Sequence, residues 1–271
     1  MPDAGTLAGE RRSFDRSAGG DMASKRKIPG NKKVVEVRII RGKDGAPIRT
    51  IVERAHAKPT GTFVSLTAGR ALPWESVDER HFMWISEVDF RVRTFVTQPF
   101  RMEFWFEGGE MIAYFPDIER TRDGATEIVE IKKTTAVVAG DPYYAFKLEL
   151  ARKACQAKGW KFRVIVAERD ILPGYLLDNV RLIRLDRLTR IRSEDHLRLG
   201  EAMEKGRGKL TYGEAVAALS ARNDPWDRDG VAKLHALICS RIVCLDLTRR
   251  LTQNSAVVLY RHPIWRPSQA A

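Results

Sequence analysis

The stretch from Val92 to Lys132 limits the possible folds more than any other part of this 271-residue chain. Four strand-like runs follow one another there: VRTFV, PFRMEFWFE, MIAYFPDIE and TEIVEIKK. Gly108-Gly109 and Asp123-Gly124 punctuate the later runs, and both pairs tolerate the positive φ of tight hairpin turns. These residues predict an antiparallel meander. A helix follows in YYAFKLELARKACQAK, with Asp141-Pro142 as its cap and first turn and Gly159 as its stop. WKFRVIVAE beyond it reads as a buried strand. Upstream, residues 75–88 place Val77, Phe82, Met83, Ile85 and Val88 at helical spacing, without an internal Gly or Pro. Helix, strands, helix and strand predict an α/β core.

The flanks read differently. Residues 1–34 are rich in Gly, Ser, Lys and Arg without apolar periodicity, so a disordered basic tail is expected, with Met22 as an alternative start. VVEVRII and IRTIV, around Gly42, Asp44 and Gly45, suggest a hairpin-like element between Val34 and Val52. After the core comes a basic, leucine-rich stretch from Tyr175 to Ile191, then a helical block from Leu210 to Tyr260. Thr211 and Glu214 have capping-box spacing ahead of AVAALSA, and Asp229-Gly230 precedes VAKLHALICSRIV. LTRRLTQNSAVVLY is expected to give two strands around residues 252–255. Helix-turn-helix followed by a hairpin is a winged-helix-like outline. The expected organisation is a tail (1–34), a catalytic domain (35–172), a basic connecting segment (173–205) and a winged-helix-like domain for DNA or a partner (206–271).

Forty-seven Lys and Arg stand against 35 Asp and Glu, a net charge of +12. That balance favours a polyanionic partner, and nucleic acid over a membrane, since no basic amphipathic helix stands out. No apolar run approaches the roughly 20 residues that cross a bilayer, and the N-terminus lacks the apolar centre of a secretory signal. An intracellular, cytoplasmic protein is expected. Three cysteines, Cys155, Cys239 and Cys244, are too few and odd in number for a disulfide framework. His235, Cys239 and Cys244 lack a fourth partner at zinc-site spacing, so buried thiols are expected. There is no G-x-x-x-x-G-K-[ST], so any ATP hydrolysis belongs to another protein.

The chemistry concentrates at two strand ends. Pro116-Asp117 lies at one and Glu130-Ile131-Lys132 at the next, with only the Asp123-Gly124 turn between, which predicts neighbours in space. Alternation puts Glu130 and Lys132 on one face and Ile131 on the other. Two converging carboxylates stay ionised cheaply only around a cation, and hard oxygen donors suit Mg2+, with Mn2+ as a substitute. Such an ion activates water and stabilises the charge of in-line attack on a phosphodiester, while Lys132 would orient or help deprotonate that water. The same residues are also what solvated strand faces would contain.

The segments TGTFVSLTAGRALPWESVDERHFMWISEVDF, TQPF, YFPDIE, IVEIKK and KLELARKACQAKGWKFRVIVAE resemble the TnsA endonuclease family of heteromeric transposases. The likeness runs from about Gly61 to Glu168, and more loosely over the C-terminal end. It implies a restriction-endonuclease-like core, a mixed sheet flanked by helices, with a C-terminal winged-helix-like domain. It implies a site of Glu79, Asp117, Glu130 and Lys132, the three acids binding metal. Glu79 is preferred to Glu75 because its distance to Glu87 and Asp89 fits the family's helix; the loser of the two is a capping or solvated glutamate. Gln98-Pro99 fits a family loop near the site, or a plain turn. Lys133 and Lys147 are candidates for phosphate contact, as are Arg249 and Arg250 at a wing. Arg181, Arg184, Arg187, Arg190 and Arg192 would track a DNA backbone or form a solvated face.

The resemblance further implies double-stranded DNA at transposon ends as substrate, action at the bacterial nucleoid, and partners of two kinds. One is a TnsB-like transposase, which leaves the 5′ strands uncut; the other is a TnsC-like ATPase. Two other readings stay open. One is a stand-alone restriction or repair endonuclease, which a gene neighbourhood without transposase and ATPase would favour. The other is a non-catalytic winged-helix DNA-binding protein with an inactive nuclease core, against which all four site positions are filled.

Overall fold

Two prolines divide the expected meander into two sheets. The structure, a computed structural model, describes residues 28–30, 32–43, 47–48, 59–136 and 140–260. The expected tail before residue 28, the alternative start at Met22 and the second half of the Val34–Val52 hairpin lie outside the described residues.

β1 (Val34–Arg41), the first half of the expected hairpin, pairs along one edge with a strand far along the chain. β2 (Gly61–Ser65) and β3 (Arg70–Trp74) form a two-stranded sheet, and α1 (Val77–Val88) follows. The helix begins two residues later than its periodicity suggests, because Ser76 caps it, so Glu75 lies before the cap and outside the helix. β4 (Val92–Thr97) and β5 (Phe100–Phe106) come next, then β6 (Met111–Tyr114), β7 (Ile118–Arg122) and β8 (Ala125–Lys132). MIAYFPDIE is therefore two strands, not one. Pro116 has no N–H for a ladder, so the chain leaves one sheet there and enters the other. Gln98-Pro99 makes the same break between β4 and β5, and the two breaks are tied by Gln98 N–H donating to the Asp117 carbonyl at 2.8 Å.

Pairing is consequently non-sequential. One sheet has the order β1-β5-β6; the other, β4-β7-β8 and then β9 (Lys161–Val166), is antiparallel except for the β8–β9 pair, which is parallel. The β7–β8 hairpin turns at Asp123 and Gly124, whose φ values of 52° and 78° suit a type I′ turn. α2 (Pro142–Ala157) supplies the crossover to β9, capped by the Asp141 side chain and ended at Gly159, whose φ is 70°. Its buried face, Leu148, Ala151 and Cys155, packs with Ile128 and the apolar residues of β5 and β6. α1 covers the opposite face, with Phe82 and Met83 against Val129 and Ile131.

After a short π-helical turn, Ala167–Ile171, come α3 (Leu176–Leu185) and α4 (Ser193–Lys205). This segment is more than a connector: Val180, Ile183 and Leu199 share a buried cluster with Val88 of α1 and with the helices that follow. Those are α5 (Tyr212–Leu219), opened by a capping box of Thr211 and Glu214, and α6 (Arg228–Cys239). β10 (Lys209–Thr211), β11 (Val243–Cys244) and β12 (Ala256–Leu259) form a small sheet of order β10-β12-β11. The run LTRRL, expected to be a strand, is a turn and loop: β12 pairs instead with Val243–Cys244, where buried apolar residues lie, while Arg249 and Arg250 are exposed. Cys155, Cys239 and Cys244 are buried free thiols, each pushed up to about 12, chiefly by burial. Among the described residues no helix is long and apolar enough to cross a membrane.

Candidate active site

The break at Pro116 leaves Asp117 at the head of β7, where the two sheets part. Ile118 pairs with Val129, so one further step of the antiparallel register sets Asp117 opposite Glu130. Its Oδ2 accepts a hydrogen bond from the Ile131 N–H at 2.6 Å. Glu130 is buried, and both its oxygens are engaged: Tyr114 Oη donates to Oε2 at 2.5 Å, Tyr144 Oη donates to Oε1, and Lys132 Nζ lies 2.7 Å from Oε1. Glu130 and Lys132 therefore do share a face. The Lys132 ammonium also sits 5.0 Å from the centre of the Tyr144 ring.

These groups act on one another strongly because little water reaches them. Burial, then the charges of Glu130 and Glu79, push the Asp117 carboxyl well above the usual carboxylate range, with Lys132 and the Ile131 amide opposing only in part. Lys132 is affected in the other direction. Desolvation works against its charge, yet Glu130, Asp117 and Glu79 together raise it above the ordinary lysine value. It is thus a firm cation, which suits it to orienting water or stabilising negative charge and not to removing a proton.

Glu79 comes to the cluster from the first turn of α1. Its carboxylate accepts from the Glu75 N–H at 2.9 Å and from Ser76 Oγ at 3.1 Å, while Ser76 Oγ accepts from the Glu79 N–H, a reciprocal cap. Burial raises its pKa and these bonds partly offset the rise. Glu79 is one of the charges that act on Asp117; Glu75 instead accepts from Gln98 Nε2 at 2.6 Å.

Gln98 is buried beside these groups, with φ at 46°, a left-handed conformation that costs a non-glycine residue about 1–3 kcal/mol. Its Oε1 is buried without a hydrogen-bond partner among the described residues. The remaining candidates lie farther out. Lys133 is exposed, and its carbonyl accepts from the Glu168 N–H. Lys147 lies on α2 one turn beyond Tyr144, its amine 6.0 Å from the Tyr143 ring centre. Arg249 and Arg250 are exposed in the loop between β11 and β12, Arg249 lying 3.4 Å from Asp246. Tyr114 and Tyr144 are the groups that sequence reasoning missed. One reads as a strand residue and the other as the start of an apolar helix face, and nothing local marks their hydroxyls as aimed at Glu130.

A desolvated Asp117 carboxyl on which the charges of Glu130 and Glu79 both act belongs to a donor set whose chemistry fits a hard divalent cation. The geometry is less complete than the chemistry. The oxygens of Glu79 are taken by its cap, and among the described residues no three His, Cys, Asp or Glu side chains gather into a group able to hold a metal ion.

A mixed α/β core whose sheets part beside clustered carboxylates and a lysine is consistent with a restriction-endonuclease-like domain. The comparison with protein families goes further, since residues 89–167 match the family described as TnsA-like endonuclease N terminal. The matched segment contains Asp117, Glu130 and Lys132 but ends short of Glu79 on one side and of α3 on the other. No curated protein matches the chain.

Proposed function

We propose that this protein is a magnesium-dependent DNA endonuclease subunit of a TnsA-like transposition system. The observation that carries the reading is the meeting of Asp117, Glu130 and Lys132 at the junction of two sheets, inside the segment that matches the family. Asp117 and Glu130, with Glu79 released from its cap, would hold Mg2+, or Mn2+ in its place. When bound, such an ion supplies Lewis acidity and charge neutralisation at a phosphodiester. Lys132 contributes a fixed positive charge toward the water or toward the oxygens that become negative. Tyr114 and Tyr144 hold the Glu130 carboxylate in one orientation. Gln98 ties Glu75 and the Asp117 carbonyl together and fixes the position of α1 relative to β7.

The C-terminal elements α5 and α6 with the sheet β10-β12-β11 are read as a winged-helix-like module, the loop before β12 with Arg249 and Arg250 being the wing. Its ligand is DNA or a partner. The substrate is double-stranded DNA at transposon ends, cut on the 5′ strands, with a TnsB-like transposase cutting the other strands and a TnsC-like ATPase regulating both. Strand mapping tests this. Labelled duplexes carrying the transposon ends, incubated with Mg2+, this protein and the neighbouring transposase and ATPase, should be cut on the 5′ strands only when this protein is included. Cleavage of those strands without it contradicts the reading.

A further inference from the structure

Four arginines converge beside Trp84 where α1 and α3 pack together. The Arg184 guanidinium lies 3.6 Å from the Trp84 ring centre, and that of Arg80 is 4.8 Å from the same ring and 5.0 Å from that of Trp74. Arg187 stands 5.6 Å from the Phe63 ring, and Arg181 Nη2 lies 3.4 Å from His81 Nε2. Stacking on rings fixes planar guanidinium groups and leaves their edges free for an anion.

Among the described residues the cluster holds more positive than negative charge. Arg181 is 3.3 Å from the exposed Asp178 and Arg187 Nη1 donates to the Arg184 carbonyl at 3.1 Å, but the buried Nε atoms of Arg80, Arg184 and Arg187 have no hydrogen-bond partner among the described residues. Arg184 accordingly holds its proton less firmly than a free arginine, through desolvation and then the charges of Arg187, Arg80 and Arg181. Bringing like charges together, three of them half-buried and without a carboxylate partner among the described residues, is unfavourable unless an anion joins them. Arg181 and Arg184 lie one turn apart on α3 and Arg187 in the turn that follows it, and α3 packs on α1, where Arg80 directly follows Glu79 in sequence.

We infer that this arginine cluster is a binding site for a backbone phosphate of duplex DNA, alongside the bond to be cut. Guanidinium forks match phosphate oxygens in pairs, and a phosphate contact of this kind sets register without reading sequence. The inference takes its substrate from the endonuclease reading, but its test does not depend on cleavage.

The probe is a short duplex without transposon sequence, bound by the full-length protein in EDTA, with affinity measured by fluorescence anisotropy over a range of NaCl concentrations. In Arg184→Gln/Arg187→Gln the slope of log K against log[salt] should become shallower by about 0.9, the loss of one phosphate contact, which is about eightfold in affinity at 0.1 M relative to 1 M salt. Arg184→Lys/Arg187→Lys keeps the charge and should keep most of the slope. If the glutamine variant does not fold by circular dichroism, Arg187→Gln alone gives the same test. An unchanged slope overturns the site, as does a variant whose only loss is binding of a poly-glutamate peptide, which would mark an acidic protein partner. A wild type that binds with this slope and loses it in the glutamine variant, but never cuts DNA, would sink the endonuclease reading and leave the phosphate site standing.

Discussion

Asp117→Asn should make the metal-free protein more stable while removing its response to magnesium. The carboxyl is desolvated and faces Glu130 and Glu79, and its affinity for a proton rises well above that of a free aspartate. An acid whose pKa is raised by folding gives stability that is fully present below its unfolded value, near 4, and is lost as pH rises through the folded value. At neutral pH the ionised side chain therefore opposes folding. Each unit of the rise corresponds to about 1.4 kcal/mol. Asparagine keeps the shape and can still accept from the Ile131 N–H, so it recovers that energy, and each 1 kcal/mol raises the melting temperature by about 2–4 °C in a domain of this size. In wild type, Mg2+ at 100 times its dissociation constant should add about 2.7 kcal/mol, and more at pH 8 than at pH 6, because protons and the metal compete for the same carboxylates. Differential scanning calorimetry of both proteins with and without Mg2+, at several pH values, measures all of this. A less stable asparagine variant, or equal stabilisation of both proteins by Mg2+, refutes the reasoning.

Other positions give independent tests. Tyr144→Phe removes one of two hydroxyls on Glu130 and should weaken Mg2+-dependent cleavage about 10–100-fold with the fold intact; activity within twofold of wild type would show that the hydroxyl does not orient the carboxylate. Arg120→Met leaves Glu127 buried beside an apolar side chain, with only Arg163 at 3.4 Å, and should cost about 3–5 kcal/mol in urea denaturation; a loss under 1 kcal/mol contradicts this. Gly230→Ala would bring a Cβ to 2.6 Å from the Val216 carbonyl between α5 and α6, costing about 1–3 kcal/mol by the same assay, and an unchanged midpoint would mean that the helices part easily.

The proximity of Asp117, Glu130 and Lys132 was legible because strand alternation and a two-residue turn are local rules. Such rules set the face on which a side chain stands and the register across a hairpin. The caps at Asp141 and Thr211 were legible for the same reason. The sheet order was not, because β1 meets β5 and β4 meets β7 across long stretches of chain, and the runs look alike whichever neighbour they choose. Pro116 and Pro99 carried the missing information: each removes a ladder donor, and the meander divides there. Tyr114 and Tyr144 stayed hidden because a tyrosine on an apolar face looks the same whether its hydroxyl meets water or a buried glutamate. Glu79 was found through resemblance, and its role as a cap partner emerged only once Ser76 set the helix start. The arginine cluster joins residue 80 to residues 181–187, a proximity that no short pattern contains.

The central claim is that carboxylates and an ammonium at the seam of two sheets cut DNA with a divalent ion. Nicking of supercoiled plasmid or end-bearing duplex by the protein with its partners, in Mg2+ and in EDTA, tests it most directly when wild type is compared with Asp117→Ala of unchanged circular dichroism. Cleavage should occur in wild type with Mg2+ and fall below detection in the other three conditions; cleavage that persists in Asp117→Ala, or in EDTA, would contradict the account.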